Sequence, residues 1–166
     1  MGHNILTNIS GAIQVGVCSN IRNPHDFYVQ LGQQYIIQSE IEALINSTQY
    51  IELASSVPLL EILQDQTVIC MDETGLYRRG IVTREGESPS IFLMDEGDTL
   101  VVDHEEILPY LLTEFPFLNE PPLAYDCFAI EVPGPQYRNS WSWHEREQFR
   151  EMVSSPNLHV EFVSID

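Results

Sequence analysis

The sequence predicts a mainly β fold with two or three helices, in which a small barrel of short strands is inserted between two flanking parts. Three observations carry this prediction. Four short β-rich runs separated by turn residues lie mid-chain, further β-rich runs flank them on both sides, and two capping boxes mark helix starts. At 166 residues the chain is long enough to bury its own core, since domains commonly have about 100 to 200 residues.

The first element is a predicted β-hairpin. The runs Ala12 to Val17 and Phe27 to Leu31 are rich in strand-forming residues. Asn23-Pro24 between them is a turn signal. We therefore expect two paired strands at the start of the fold.

A helix is predicted next, from about Ser39 to Ser55. Ser39 with Glu42 three residues later forms a capping box. Apolar residues then recur at roughly helical spacing, at Ile41, Leu44, Ile45 and Ile51.

Four short strands are predicted in the middle of the chain. They are Thr67 to Met71, Tyr77 to Thr83, Ser90 to Met94 and Thr99 to Asp103. Strands this short and this closely spaced are typical of a small closed or half-closed barrel. We expect Glu105 to Leu112 to close it as a helical turn or a strand, and the proline-punctuated segment from Pro116 to Pro122 to end it.

The last part of the chain is predicted to return to the first. Tyr125 to Val132 has strand character, Ser142 with Glu145 forms a second capping box for a helix to about Ser154, and His159 to Ile165 alternates as a final strand. We expect these elements to pair with the opening hairpin.

Charge and composition narrow the function. Lys and Arg number 7 against 25 Asp and Glu, a net charge of −18. Such a field repels phosphate backbones and attracts basic segments, which argues against direct nucleic-acid binding.

The three cysteines and five histidines are scattered without ligand spacing, so we expect reduced thiols, no metal and no cofactor. With no signal peptide and no long apolar run, we expect a soluble protein away from membranes.

Five short motifs occur in a characteristic order. They are residues 23 to 31, Tyr77-Arg78, residues 92 to 98, residues 123 to 127, and Trp141-Ser142-Trp143 leading a helix that contains Phe149. Together they resemble the extended Tudor domain, a Tudor SH3-like barrel packed on a staphylococcal-nuclease-like OB-type module. The resemblance spans about residues 10 to 165. It implies an N-terminal flank with a linker helix at 10–57, a barrel at 58–115 and a C-terminal flank at 116–166.

The resemblance also locates a ligand pocket. Extended Tudor domains frame a methylated arginine with four aromatic rings and an asparagine, and those positions fall here on Met71, Tyr77, Leu93, Glu96 and Asp98. Only Tyr77 is aromatic. Carboxylates at Glu96 and Asp98 would accept paired hydrogen bonds from an unmodified guanidinium, a geometry that methylation obstructs. We therefore expect a preference for unmethylated arginine.

Three scaffold residues are carried over in the same way. The resemblance implies a structural ion pair between Arg78 and Asp95 and a turn glycine with positive φ at Gly97.

Two expectations concern which side chains are buried. Because adjacent strand residues face opposite ways, we expect Phe92 to face the barrel core with Met94, and Leu93 to face the pocket. Trp141 and Trp143 at a helix start are more typical of core than of interface residues.

The resemblance implies a non-catalytic adaptor that binds the arginine-rich N-terminal tail of a Piwi-type Argonaute protein. Its expected setting is the piRNA pathway in cytoplasmic germline granules, the nuage. We expect one arginine to enter between Tyr77 and the carboxylates of Glu96 and Asp98, with the peptide along the cleft between barrel and flank.

Other functions stay open. Glu96 and Asp98 could be solvated turn residues beside a vestigial pocket in an architectural scaffold, or the pocket could retain residual binding of symmetric dimethylarginine. An OB-type nucleic-acid binder would use exposed aromatic residues such as Tyr28, Tyr125 and Tyr137, but it would need a basic groove. A nuclease would need metal-binding carboxylates with an arginine clamp, which the sequence does not offer.

Overall fold

The chain forms two antiparallel sheets and three α-helices in a computed structural model that describes residues 13–127, 129, 134–135, 140–154 and 158–161. The elements are β1 Ile13–Asn23, β2 Asp26–Leu31, α1 Gly32–Ile45, α2 Thr48–Ser56, β3 Thr67–Met71, β4 Tyr77–Arg84, β5 Ser90–Leu93, β6 Thr99–Val101, β7 Ile107–Pro109, β8 Ala124–Cys127, α3 Trp143–Val153 and β9 Leu158–Glu161. Within those residues, no helix has the length and apolar character needed to cross a bilayer.

One sheet joins the two ends of the chain. Its strand order is β8-β2-β1-β9, and every neighbouring pair is antiparallel. Phe149 of α3 packs onto this sheet beside Phe27, Val29 and Leu31. The predicted pairing of the flanking parts is therefore confirmed. The parts of the predicted strands at 128, 130–132 and 162–165 lie outside the described residues.

The other sheet contains the four strands predicted mid-chain. Its order is β6-β5-β4-β3-β7, so that β7 closes on β3. A 3₁₀ turn at His104–Glu106 leads into β7, and both forms predicted for this stretch are therefore present. Seven buried residues fill the half-barrel: Val68, Cys70, Val82, Ile91, Leu93, Val102 and Ile107.

The single helix predicted from Ser39 to Ser55 is instead two helices. α1 already begins at Gly32, and Ser39 lies inside it, where its hydroxyl donates to the carbonyl of Tyr35 at 2.9 Å. The early start at Gly32 is supported by the Gln34 side chain, which accepts from the Leu31 N–H at 3.2 Å and so satisfies one of the N–H groups that a helix start leaves unpaired. The pattern at Ser39 was therefore not a cap.

The break between the helices has a tertiary cause. Asn46 ends α1, and its side chain donates to the carbonyl of Tyr77 at 3.0 Å and accepts from the Tyr77 N–H at 2.8 Å. Ser47 then caps α2 by accepting from the Tyr50 N–H at 3.2 Å. The helix pair is thereby fastened to the start of β4.

Both helices cover the outside of the half-barrel. Their buried residues form one cluster with residues of β3, β7 and the segment that follows: Ile41, Ile45, Tyr50, Ala54, Ile69, Leu108, Leu111, Leu118 and Leu123. Tyr50 donates from its hydroxyl to the carbonyl of Pro109 at 2.7 Å. The barrel sheet thus has a helix face, turned to α1 and α2, and a barrel face, turned to its own core. Successive residues of β4 alternate between them.

Two burial predictions were wrong. Leu93 lies in the barrel core, whereas Phe92 points outward and packs on the ring of Tyr28 at 5.4 Å between centroids. Phe92 can be half-buried on the outer side of β5 because Tyr28 of the flanking sheet covers that side. Trp143 is 69% exposed, since α3 buries Phe149 instead, and Trp141 is half-buried with its ring edge-on to His25.

Candidate functional site

The turn between β5 and β6 carries the acidic residues of the predicted site. Gly97 has φ +85°, which confirms its predicted conformation, and its N–H donates to the carbonyl of Leu93 at 2.8 Å. A Cβ at this position would lie 2.4 Å from the ring of Tyr28. Glycine is therefore required here both by φ and by space.

Side chains of the flanking hairpin hold this turn. Three residues of β1 and β2 donate to three consecutive main-chain carbonyls: Gln30 to Asp95, Ser19 to Glu96 at 2.6 Å, and Asn20 to Gly97 at 2.5 Å. We call these three contacts the hairpin clamp. They fix the position of the turn relative to the flanking sheet, so the flank sets where the carboxylates of the turn lie.

The buried partner of Asp95 is Arg79, and the predicted pair with Arg78 was wrong. Arg79 Nη2 lies 2.5 Å from Asp95 Oδ1, and Nε lies 2.8 Å from Oδ2. Arg79 is on the helix face and 1% exposed, whereas Arg78, one residue earlier, points to the barrel face. The alternation of the strand therefore assigns the structural role to the second of the two arginines.

The remaining donors of Arg79 are also satisfied. Nη1 and Nη2 donate to three main-chain carbonyls of the segment after β7, those of Leu118 at 3.3 Å, Glu120 at 2.5 Å and Pro121 at 3.1 Å. Burial lowers the pKa of Arg79, but the hydrogen bonds and charge of Asp95 outweigh it, so the pKa lies above its usual value. The guanidinium stays charged and ties the turn to that segment.

Arg78 is held at the mouth of the barrel by carboxylates from three elements. Its Nε lies 2.9 Å from Asp72 Oδ2, and its Nη1 lies 2.9 Å from Glu96 Oε1 and also contacts the Glu42 carboxylate of α1. We call Arg78, Glu42, Asp72 and Glu96 the acidic cluster. One positive charge faces three negative ones, so the cluster keeps a negative surplus.

That surplus acts on Glu96. Burial raises the pKa of Glu96, the ion pair with Arg78 lowers it, and the charges of Asp72 and Asp98 raise it again. The net direction is upward from the usual glutamate value. A further cation nearby would therefore stabilise the charged form of Glu96.

Little space remains beside the cluster. A cavity of about 10 Å³ lies between α1 and the barrel, lined by Glu42, Ile41, Arg78, Leu93 and Glu96 among others. That is about the volume that one water needs. A second guanidinium does not fit there while Arg78 is in place.

The five predicted pocket residues do not all meet. Tyr77 packs on the helix-face cluster, whereas Leu93, 2% exposed, belongs to the barrel core. Met71 is half-buried opposite Tyr77 at the end of β3. Glu96 and Asp98 do share the β5–β6 turn, with Asp98 exposed. The structure therefore keeps the carboxylates together and directs Tyr77 to the other face.

Sequence reasoning missed Arg78, Glu42 and Asp72 as members of the site. A signal for Arg78 was present, because counting back by twos from Val82, an apolar residue of the same strand, places Gly80 and Arg78 on the barrel face. Glu42 had no such signal, since its contact depends on how α1 crosses the barrel.

Two kinds of reactive group bear on catalysis, namely metal-binding clusters and ionised thiols. Across the described residues, no group of three or more His, Cys, Asp or Glu side chains is arranged to hold a metal ion. Burial raises the pKa of Cys18 to about 11 and those of Cys70 and Cys127 to about 12, so these thiols are scarcely ionised at neutral pH.

Known structures share this architecture. No family model matches the sequence. The extended Tudor domain of human TDRD1, solved with a symmetrically dimethylated peptide, superposes with a TM-score of 0.80 at 18% identity over 94% of this chain and 77% of that one. The extended Tudor domain TD3 of mouse TDRD1, solved with a MILI peptide containing dimethylarginine, gives 0.79 at 14% identity over 95% and 79%.

A third similar structure holds an unmethylated ligand. It is a Drosophila melanogaster Papi extended Tudor domain with an Asp-to-Ala substitution, in complex with an unmethylated Piwi N-terminal peptide. Its TM-score is 0.71 at 16% identity over 88% of this chain and 72% of that one. The chain therefore has the extended Tudor fold, and the predicted fold class is confirmed.

Proposed function

We propose that this domain is a non-catalytic peptide-binding module that recognises arginine in a basic segment through the carboxylates at the barrel mouth. The fold is one whose solved examples hold arginine-containing peptides, methylated or not. The net charge of −18 would draw a basic partner toward the domain and raise its association rate.

The acidic cluster is the observation that carries this proposal. Carboxylates of Glu42, Asp72 and Glu96 converge from a helix, a turn and a second turn on one guanidinium. Guanidinium groups present planar N–H donors that match carboxylates, and charge-assisted bonds of this kind are the stronger ones in proteins. The site has the chemistry to bind arginine by hydrogen bonds and charge.

The same chemistry supports a preference for unmethylated arginine. Rings attract a methylated guanidinium by about 0.5 to 2 kcal/mol each, but Tyr77, the one ring at the predicted pocket positions, packs on the helix face. Carboxylates depend on free N–H groups, which methylation removes. Of the predicted pocket residues, Glu96 and Asp98 on the β5–β6 turn are the ones we assign to ligand binding.

The proposed partner is the arginine-rich N-terminal tail of a Piwi-type Argonaute protein, bound along the cleft between barrel and flank. The proposed setting is the piRNA pathway in cytoplasmic germline granules. Binding should be moderate, because ordering a disordered tail costs about 2 to 5 kcal/mol.

Calorimetric titration with three peptides tests the proposal. One tail peptide carries unmodified arginine, a second symmetrically dimethylated arginine and a third lysine in its place. We expect the unmodified peptide to bind most tightly, and Glu96→Gln to weaken it while leaving folding intact. Tighter binding of the dimethylated peptide would instead make the domain a residual dimethylarginine reader.

An architectural scaffold is the second candidate. It is favoured by one observation, namely that Arg78 already occupies the carboxylates and leaves a cavity of only about 10 Å³. A scaffold of this kind would bind its partner equally well when every arginine of the partner segment is replaced by lysine. The same titration therefore separates the two candidates.

A further inference from the structure

We propose that Arg78 is a built-in competitor for the ligand arginine, so that a partner's guanidinium reaches Glu42 and Glu96 by displacing Arg78. This inference rests on the proposed function and adds a specificity-determining residue to it. Arg78 would set both the affinity of the site and the kind of segment that can enter.

Occupancy of the carboxylates is the first ground. Arg78 Nη1 contacts Glu42 and lies 2.9 Å from Glu96, and its Nε lies 2.9 Å from Asp72. A ligand arginine would compete with Arg78 for these carboxylates, since carboxylates are its matching acceptors. The cavity beside them has only about 10 Å³, about the volume of one water, so a second guanidinium cannot enter between α1 and the barrel while Arg78 is in place.

The position of Arg78 at the edge of the barrel is the second ground. Its side chain is 17% exposed, and those of Glu42 and Glu96 are 32% and 25% exposed, whereas the side chain of Arg79 is fully buried. The long flexible stem of an arginine can therefore carry the Arg78 head into water without opening the core. Asp72, 11% exposed, can keep the Nε of Arg78 as a tether.

Charge is the third ground. Exchange of one guanidinium for another leaves the charge of the cluster unchanged, and the displaced Arg78 remains near Asp72. The exchange therefore changes the free energy of the ion pairs little. The favourable binding free energy must come from contacts made by the rest of the ligand segment. The apparent association constant equals the intrinsic one multiplied by the fraction of molecules in which the carboxylates are free. Segments with several arginines would compete best.

A pair of matched variants tests the proposal. Arg78→Gln removes the competitor, and Arg84→Gln makes the same change of charge at an exposed position of the same strand. Calorimetry with the unmodified arginine peptide should show binding about 3- to 10-fold tighter for Arg78→Gln, as expected when an occupied site becomes free. Arg84→Gln should stay within about 2-fold of the original protein, since only long-range charge changes.

A second measurement reports on Arg78 itself. The NMR signals of the Arg78 Nη groups should be slow to exchange in the free protein, and they should shift and exchange faster as the arginine peptide is added, because these are the groups that leave Glu42 and Glu96. Thermal unfolding of each variant verifies that the domain remains folded. Arg78→Lys, which keeps the charge but loses the fork, should bind with intermediate affinity.

The possible outcomes separate this inference from the proposed function. If Arg78→Gln weakens binding as much as Glu96→Gln does, or if the Arg78 signal stays unchanged at saturation, then Arg78 is scaffold and the inference is overturned while arginine recognition stands. If neither the original protein nor Arg78→Gln binds any arginine peptide, both the proposed function and the inference fall.

Discussion

Arg78 and Arg79 are consecutive residues with opposite surroundings. Arg79 is fully buried on the helix face, paired at two points with Asp95 and bonded to three carbonyls. Arg78 lies at the barrel mouth, partly exposed among three carboxylates that still leave a negative surplus. The alternation of one strand therefore places one guanidinium in the core and the other at the barrel mouth, where we propose that it can be exchanged.

Removing Arg79 should have the largest effect. Arg79→Met leaves Asp95 buried without its counter-ion, so we expect a loss of about 3 to 5 kcal/mol in the free energy of unfolding. Arg78→Gln should lose at most about 1 kcal/mol, because its pairs are partly solvated. Denaturant titration measures both. Equal losses would contradict the division between a structural and an exchangeable arginine.

The turn that serves both arginines should come next. Gly97→Ala places a methyl group against the Tyr28 ring and strains a backbone at φ +85°. Gly75→Ala is the matched control, since Gly75 has φ +83° but no neighbouring atom within 4 Å. We expect Gly97→Ala to lose about 1 to 3 kcal/mol more than the control, through overpacking alone. Equal losses of stability in the two variants would mean that Tyr28 and the flanking sheet move to make room for the added methyl group.

Acidification should give the smallest effect, and it acts on Glu96. The pKa of Glu96 lies above its usual 4.5, with burial as the main cause, so Glu96 takes up a proton earlier than a solvated glutamate as the pH falls. Proton and ligand guanidinium compete for it. Affinity for the arginine peptide should therefore decline between neutral pH and the ordinary glutamate range, as measured by calorimetry.

The control for this pH dependence is Glu96→Gln. It should show weaker binding at neutral pH and a flatter decline, because the carboxylate with the raised pKa is absent. An unchanged decline in Glu96→Gln would assign the pH dependence to another group.

Much of the fold could be predicted because its strands and helices have local sequence signals. The strands Thr67–Met71 and Tyr77–Arg84 follow from turn residues and β-rich runs, and α3 follows from the capping box at Ser142. The break in the helix pair could not be predicted, because it depends on Asn46 bonding to Tyr77, 31 residues away. Contacts of that range leave no periodic trace in the sequence.

The site was only partly predictable for a related reason. Glu96 and Asp98 were assigned to the pocket by the resemblance, and they lie in the break between two predicted strands, where the structure has the β5–β6 turn. The two arginines were exchanged, however, because the resemblance assigns the structural pair to the arginine directly after Tyr77, whereas the alternation of β4 counted from Val82 assigns it to Arg79. The outward direction of Phe92 was missed because it depends on Tyr28, which belongs to the other sheet.

The hairpin clamp has a consequence for how this protein can vary. Ser19, Asn20 and Gln30 belong to the flanking sheet, yet they hold the carbonyls of residues 95–97. A barrel grafted onto another host would lose these three hydrogen bonds together, and a substitution at Ser19, Asn20 or Gln30 would remove one of them. The arginine recognition that we propose would therefore depend on the flanking sheet as well as on the barrel, and a substitution in the flank could change it without touching the ligand.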